Sequence, residues 1–309
     1  MKAPSVVSSY VLITSARNEE TNIEKTIRSV LSQTLLPKRW VIVSDGSTDR
    51  TDEIVKQYAQ QNSWIEVVRM PEHPDRQFAA KVNCFNAGYK KVKDLEYDII
   101  GNLDADITFE KDYFEFLLNK FEEIPKLGVA GTPFLENSYS SAKDSFEGEG
   151  HVAGGCQLFR RECFEGIGGY IPNKAGGIDW IAVTTARMKG WKTMSFKDKY
   201  FFHHRALGTG GSSNIGAQFD YGKKDYYLGG HPFWELFRGS YRMLKKPYLI
   251  GSIALLTGYL WAFVTRMERP VSQELMKFHR KEQMGKLRLI LKSILKFKKI
   301  DKFSLGSSQ

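Results

Sequence analysis

The chain has 309 residues, 42% hydrophobic and 26% charged, as expected of an ordinary globular protein built as one large domain or one domain plus an appendage. Its net charge of +10 is concentrated: Arg269 to Lys302 holds 11 Lys/Arg against 3 Asp/Glu, so the rest of the chain is close to neutral. Three scattered cysteines, Cys84, Cys156 and Cys163, exclude a disulfide framework and have no metal-ligand spacing, which points to a reducing compartment.

Met1 to Tyr10 lacks the charged and apolar regions of a signal peptide, so the expected location is the cytosol or the cytosolic side of a membrane. From there the first half alternates strand and helix signals. Strands are predicted at Tyr10 to Thr14, Trp40 to Val43, Trp64 to Val68, Asp98 to Leu103 and Gly128 to Gly131. Helices are predicted near Asn22 to Gln33, Ile54 to Gln60, Gln77 to Val92 and Lys111 to Phe121. Continuous apolar strands separated by helices imply a parallel sheet covered on both faces, an α/β doubly wound domain. Its ligands belong at the carboxyl ends of the strands.

The second half is less regular. Glycine-rich segments at Gly148 to Gly155, Gly166 to Gly169 and Gly208 to Gly211 read as loops around a cleft. A helix from Asp179 to Lys189 and strands near Trp191 to Phe196 and Tyr200 to His203 follow. Tyr248 to Thr265 carries no charge and sits at the length threshold of a membrane span, but Gly251, Ser252, Thr257 and Gly258 dilute it. It reads as an interfacial helix, a full span or a buried helix. Beyond it, Met284, Leu287, Ile290, Leu291, Ile294 and Leu295 recur at helical spacing beside Lys286, Lys292, Lys296 and Lys299. A basic amphipathic helix over about 284–300 suits an anionic membrane surface, and its Leu/Ile stripe argues against nucleic acid.

Three carboxylate motifs follow strands. They are Ser44-Asp45-Gly46-Ser47-Thr48-Asp49, Asp104-Ala105-Asp106, and Asp179 in Gly176-Gly177-Ile178-Asp179-Trp180. Two aspartates two residues apart on extended backbone face one side. A diphosphate needs a divalent cation, and Mg²⁺ or Mn²⁺ favours carboxylate oxygen. The alternative is that Asp104 and Asp106 cap the helix beginning near Lys111, that Asp45 makes an Asx-turn, and that Asp179 is an N-cap. The first-strand loop, Ser15 to Glu20, has no glycine. That counts against a sugar nucleotidyltransferase and against a dinucleotide-binding oxidoreductase.

The ordered set Val11-Leu12-Ile13-Thr14-Ser15-Ala16-Arg17-Asn18-Glu19-Glu20, Val43 to Asp49, Leu103 to Asp106, Gly154 to Arg161, Ile167 to Tyr170 and Asp179-Trp180 resembles glycosyltransferase family 2. The resemblance covers residues 9 to about 205. It implies a GT-A fold, a doubly wound, mostly parallel sheet flanked by helices, in a catalytic domain over 1–230 with a nucleotide-sugar half at 9–132 and an acceptor half at 133–230. The apolar segment 248–265 and the basic helix at about 284–300 make the remainder, 231–309, a C-terminal helical membrane-associated extension. The resemblance further implies metal-dependent inverting transfer of one sugar from a nucleotide-diphosphate sugar to a glycan or lipid-linked acceptor. By the resemblance, Thr14, Glu19, Asp45, Arg76, Lys81 and Asp104 serve the nucleotide sugar, Asp106 and His203 the metal, and Asp179 the base. Adjacent strand residues point oppositely, so only one of His203 and His204 should reach the site, and His203 is preferred. The sequence departs from the family pattern at Ser44 and Ile178, where acidic residues are usual. It also lacks the Gln-x-x-Arg-Trp of processive members, which favours single transfer; a non-catalytic sugar-binding protein is the remaining alternative.

Overall fold

In the computed structural model the described residues are 9–72, 78–136, 139–141, 148–173, 176–205, 214–243 and 248–296. By contacts the chain divides into two compact units, Met1–Arg205 and Ala206–Gln309.

In the first unit, strands β1 (Tyr10–Ala16), β2 (Arg39–Asp45) and β3 (Ile65–Met70) alternate with helices α1 (Ile23–Leu31), α2 (Thr51–Gln61) and α3 (Phe78–Val92). Then come β4 (Ile99–Leu103), β5 (Ile107–Phe109), α4 (Tyr113–Glu123), β6 (Leu127–Gly131), β7 (Phe134–Glu136) and β8 (Tyr139–Ser140). The unit continues with β9 (Cys156–Arg160), α5 (Arg161–Ile167), α6 (Ile178–Met188), β10 (Lys192–Ser195) and β11 (Phe201–His203). The main sheet has seven strands in the order β10-β6-β9-β4-β1-β2-β3. All neighbours are parallel except β9, which runs antiparallel to both β4 and β6. This is the mostly parallel sheet expected from the sequence, with one reversed strand that the glycine-rich reading of that region concealed.

The central strands are apolar on both faces because both faces are covered. Along β1, Tyr10 and Leu12 enter one core with α1 and α4, while Val11 and Ile13 enter the other with α3, α5 and α6. Gly101 in β4 is required by this packing, since a Cβ there would lie 2.6 Å from the side chains of both Leu12 and Leu158.

A second, four-stranded sheet in the order β5-β11-β7-β8 stands beside the end of β4. Its β5 strand separates Asp104 and Asp106 from α4, whose N-cap position is Asp112. The two aspartates therefore cannot cap that helix. Likewise α6 is preceded by Gly177 in a left-handed conformation (φ 78°), and Asp179 lies inside the helix rather than at its cap.

Two loops of the main sheet are knotted together by Asp49. One carboxylate oxygen accepts from Thr51 N (3.0 Å) and Oγ1 (2.6 Å), and the other from Glu20 N (3.0 Å). Asn18, at φ 54°, completes the knot by accepting from Thr48 N at 2.9 Å.

The second unit contains α7 (Asn214–Tyr227), α8 (Pro232–Arg242), α9 (Tyr248–Val264) and α10 (Gln273–Leu295). The sequence boundary at 230 put α7 with the first domain, whereas its contacts are with α9 in the helical unit. The first two of these helices went unread in the sequence, although His231-Pro232 is a start signal: His231 accepts from Phe233 N and Pro232 occupies the first turn. Glycines let α7 and α9 touch backbone to backbone, with Gly222 against the Leu255 carbonyl and Gly258 against the Phe219 carbonyl. No described helix is long and apolar enough to cross a membrane.

Burial alone would raise the Asp49 pKa, but the bonds from Thr51 and Glu20 outweigh it and hold the pKa below the usual aspartate value. The stabilisation is therefore present above the ordinary aspartate pKa and is lost as pH falls through the lowered one. Asp49→Ala should cost about 1 kcal/mol near neutral pH, and the difference from wild type in urea titrations should shrink under acid conditions.

Candidate active site

The carboxyl ends of β1, β2 and β4 converge with the start of α6 and the end of β11. Asp104 and Asp106 leave β4 on a tight segment whose middle residue, Ala105, turns into the core at 4% exposure. Thr26 of α1 donates to the Ala105 carbonyl (2.8 Å), and Asp104 N donates to the Gly155 carbonyl (2.8 Å). The two carboxylates share one side of this turn, which lies between β4 and β5; the extended backbone expected of the pair is not what brings them together.

Strand register delivers the third group. β11 pairs with β5 so that His203 lies opposite Ile107, the residue after Asp106, and His204 N extends the ladder to the Asp106 carbonyl at 2.9 Å. Alternation then separates the two histidines. Phe201 and His203 point inward, while Phe202 points out and His204 turns to Thr108 Oγ1 at 2.9 Å. His203 is thus the one facing the aspartates, with Nε2 3.6 Å from Asp106 Oδ1. Its Nδ1 donates to the Arg205 carbonyl, which can only accept, and this bond turns Nε2 toward the aspartates.

One ligand atom from each of Asp104, Asp106 and His203 lies within 4.8 Å of the others. Burial, and then the neighbouring Asp104 charge, push the Asp106 pKa up, against the pull of His203, Arg205 and Lys81. Two close carboxylates under partial burial gain most from a cation, and two oxygens with one imidazole fit a divalent ion such as Mn²⁺ or Mg²⁺.

Two basic side chains frame this cluster. Lys81 of α3 bonds Asp104 Oδ1 at 2.5 Å. Burial works against its ammonium, but Asp104, Asp179 and Asp106 outweigh it and raise its pKa. Arg205 pairs with the buried Glu19 at 2.7 Å and reaches 4.0 Å from Asp106. Glu19 thereby anchors a guanidinium at the cluster's edge. The role of Arg205 was not read from the sequence, though its place two residues after His203, on the same side of an extended chain, was a usable signal.

Asp45, at the end of β2, sits apart from the cluster. Cys84 donates to it at 3.2 Å and Arg17 lies 3.8 Å away. Its neighbour Ser44, at the position where the family pattern has an acid, bonds Ser47 Oγ at 3.1 Å within the loop. The Thr14 side chain is fully buried and its hydroxyl accepts from the Trp40 indole at 2.9 Å, so the side chain faces the core side of β1. Arg76 lies outside the described residues.

Asp179 enters from the first turn of α6, where the helix dipole favours a carboxylate. Its charge acts on Lys81. Gly154 makes room for it: a Cβ there would fall 2.8 Å from Asp179 Oδ2, and one on Gly155 would meet the Phe201 ring at 2.9 Å. The bare Gly154-Gly155 strap, fixed by Asn102 Nδ2 on the Gly154 carbonyl (2.8 Å), is what lets Asp179 and the aspartate pair share one cleft.

The carboxylate–imidazole cluster thus lies at the carboxyl ends of the strands, where α/β sheets bind their ligands. Residues 11–144 match the family model for glycosyl transferase family 2. A Staphylococcus aureus poly-beta-1,6-N-acetyl-D-glucosamine synthase is 33% identical over 124 residues, covering 40% of this chain and 28% of that protein. The Staphylococcus epidermidis enzyme of the same name is 31% identical over 128 residues, with the same shares covered. The chain thus spans under a third of the length of these curated relatives.

Solved structures share the fold. S. aureus TarS 1-349 in complex with UDP-GlcNAc has a TM-score of 0.57 at 14% identity, covering 94% of this chain and 93% of that one. The mannosyltransferase PcManGT from Pyrobaculum calidifontis, in complex with GDP-Man and Mn²⁺, has a TM-score of 0.54 at 17% identity, covering 96% and 82%. The fold is that of the GT-A glycosyltransferases.

Removing the Arg205 charge leaves the buried Glu19 carboxylate without it. Arg205→Ala should lower stability by about 1 kcal/mol, discounted for the partial exposure of the arginine. Adding Glu19→Gln should recover most of that loss, and thermal melts of both variants check it.

Proposed function

We propose that this chain transfers one sugar from a nucleotide-diphosphate sugar to an acceptor hydroxyl with inversion, in a metal-dependent reaction. The observation that carries the reading is the grouping of Asp104, Asp106 and His203 beside Lys81 and Arg205, across a glycine strap from Asp179. A divalent ion held by those three ligands would neutralise the departing diphosphate.

In this reading residues 9–132 form the nucleotide-sugar half, with Asp45 toward the base and ribose, and the acceptor half begins at 133. Lys81 and Arg205 add fixed positive charge toward the diphosphate. Asp179 accepts the proton of the acceptor hydroxyl. The freed oxygen attacks the sugar's anomeric carbon as the bond to the diphosphate oxygen breaks on the opposite face. One carboxylate base and no positioned nucleophile make this a single displacement, hence inversion.

That the relatives are named as polysaccharide synthases, and that the fold neighbours hold UDP-GlcNAc or GDP-Man, supports a nucleotide sugar as donor. The acceptor is a glycan or lipid-linked molecule at the cytoplasmic face of a membrane. The basic C-terminal sequence and the free, buried cysteines support that placement.

Transfer assays with UDP-GlcNAc and GDP-Man, with Mn²⁺ or with chelator, test the reading. Asp179→Asn should cut turnover by about 10²–10⁴-fold with nucleotide affinity nearly unchanged. Loss of nucleotide binding in that variant would show a structural role instead. Gly154→Ala, which crowds the same carboxylate, should lower turnover in the same direction while the nucleotide still binds.

A further inference from the structure

We propose that the helical unit docks on an anionic lipid bilayer with α9 lying in the plane of the interface, one face in the acyl region and the other on its sister helices. This inference rests on the second unit alone and is independent of the transfer chemistry.

The chain commits one side of α9 to protein. Gly251, Ser252, Ala254, Leu255, Gly258, Tyr259 and Ala262 are buried. Gly258 meets the Phe219 carbonyl of α7, and Ser252 Oγ donates to the Gly239 carbonyl of α8 at 2.7 Å. A helix crossing the bilayer alone would have lipid around its full circumference, which these contacts do not allow. At 17 residues, α9 is also about 25 Å long, short of a hydrocarbon core of about 30 Å.

The opposite side has no cover among the described residues. Leu249, Ile250, Ile253, Leu260, Phe263 and Val264 are each more than half exposed. A soluble surface does not normally present so many large apolar side chains on one helix face. The threonine hydroxyls near this face are already satisfied: Thr257 donates to the Ile253 carbonyl (2.8 Å) and Thr265 to the Trp261 carbonyl (2.8 Å). Such back-bonding leaves neither hydroxyl to be stranded in hydrocarbon.

Charge selects the occupant. Lys223 sits 5.6 Å over the Trp261 ring, a cation beside an interfacial aromatic. On α10, exposed Leu291, Ile294 and Leu295 are interleaved with exposed Arg288, Lys292 and Lys296. Cations alternating with outward aliphatic residues match anionic headgroups above acyl chains. A second copy of this chain would bring the same positive charge and be repelled.

The test is sedimentation of the full chain with phosphatidylcholine vesicles, with and without phosphatidylglycerol. Binding should require the anionic lipid and weaken as salt rises. Ile253→Asn with Leu260→Asn, both on the exposed face, should lower partitioning at least about tenfold while the thermal melt stays as in wild type. Brominated acyl chains should quench Trp fluorescence, and Trp261→Phe should remove most of that quenching. Three outcomes would overturn the proposal: no binding by the wild type, undiminished binding by the double variant, or a wild-type dimer that the double variant converts to monomer without any vesicle binding.

Discussion

Two carboxylates held close together with little water are unfavourable, and the first unit is organised around keeping Asp104 and Asp106 in that state. The β4 strand brings them to the edge of the sheet, and α1 fixes the turn between them through the Ala105 carbonyl. The small β5–β11 sheet adds an imidazole in register, and Lys81 and Arg205 supply positive charge at either side. Each of these contributions reduces the repulsion without removing it. The remainder is what a divalent ion and its diphosphate would complete, so the stored repulsion and the proposed binding are one property.

The parallel core and its loops were legible in the sequence because fully covered strands must be apolar on both faces. Strands β1, β2 and β4 and the carboxylates after them could be placed for that reason. The reversed strand β9 was not legible. Its five residues follow Gly154-Gly155, and the glycines, needed for space beside Asp179 and Phe201, look like loop residues when their neighbours are unseen. Short β5, β7 and β8 escaped for another reason: two or three residues carry too little pattern, and β5 and β7 owe their strand state to pairing with the distant β11.

Individual site residues divide along the same line. Alternation, a local rule, says that only one of His203 and His204 faces the aspartates, and the structure shows it to be His203. The face of β1 that the Thr14 side chain occupies is not given by its motif position, and Trp40 claims its hydroxyl. The pairing of Glu19 with Arg205 spans most of the first unit's length and no local rule predicts it. In the helical unit, the neutral stretch at 248–265 was recognised by length and hydropathy alone. Its division into a glycine-lined inner face and an aliphatic outer face emerged only with α7 and α8 in place.

The most direct test of the central claim is electron spin-echo spectroscopy of Mn²⁺ bound to the chain in the presence of UDP or GDP. The arrangement predicts one nucleotide-dependent Mn²⁺ site whose spectrum shows nitrogen coupling from a single imidazole, lost in His203→Ala and retained in His204→Ala. Nucleotide binding that is indifferent to Mn²⁺, or a bound ion with no imidazole coupling, would contradict it.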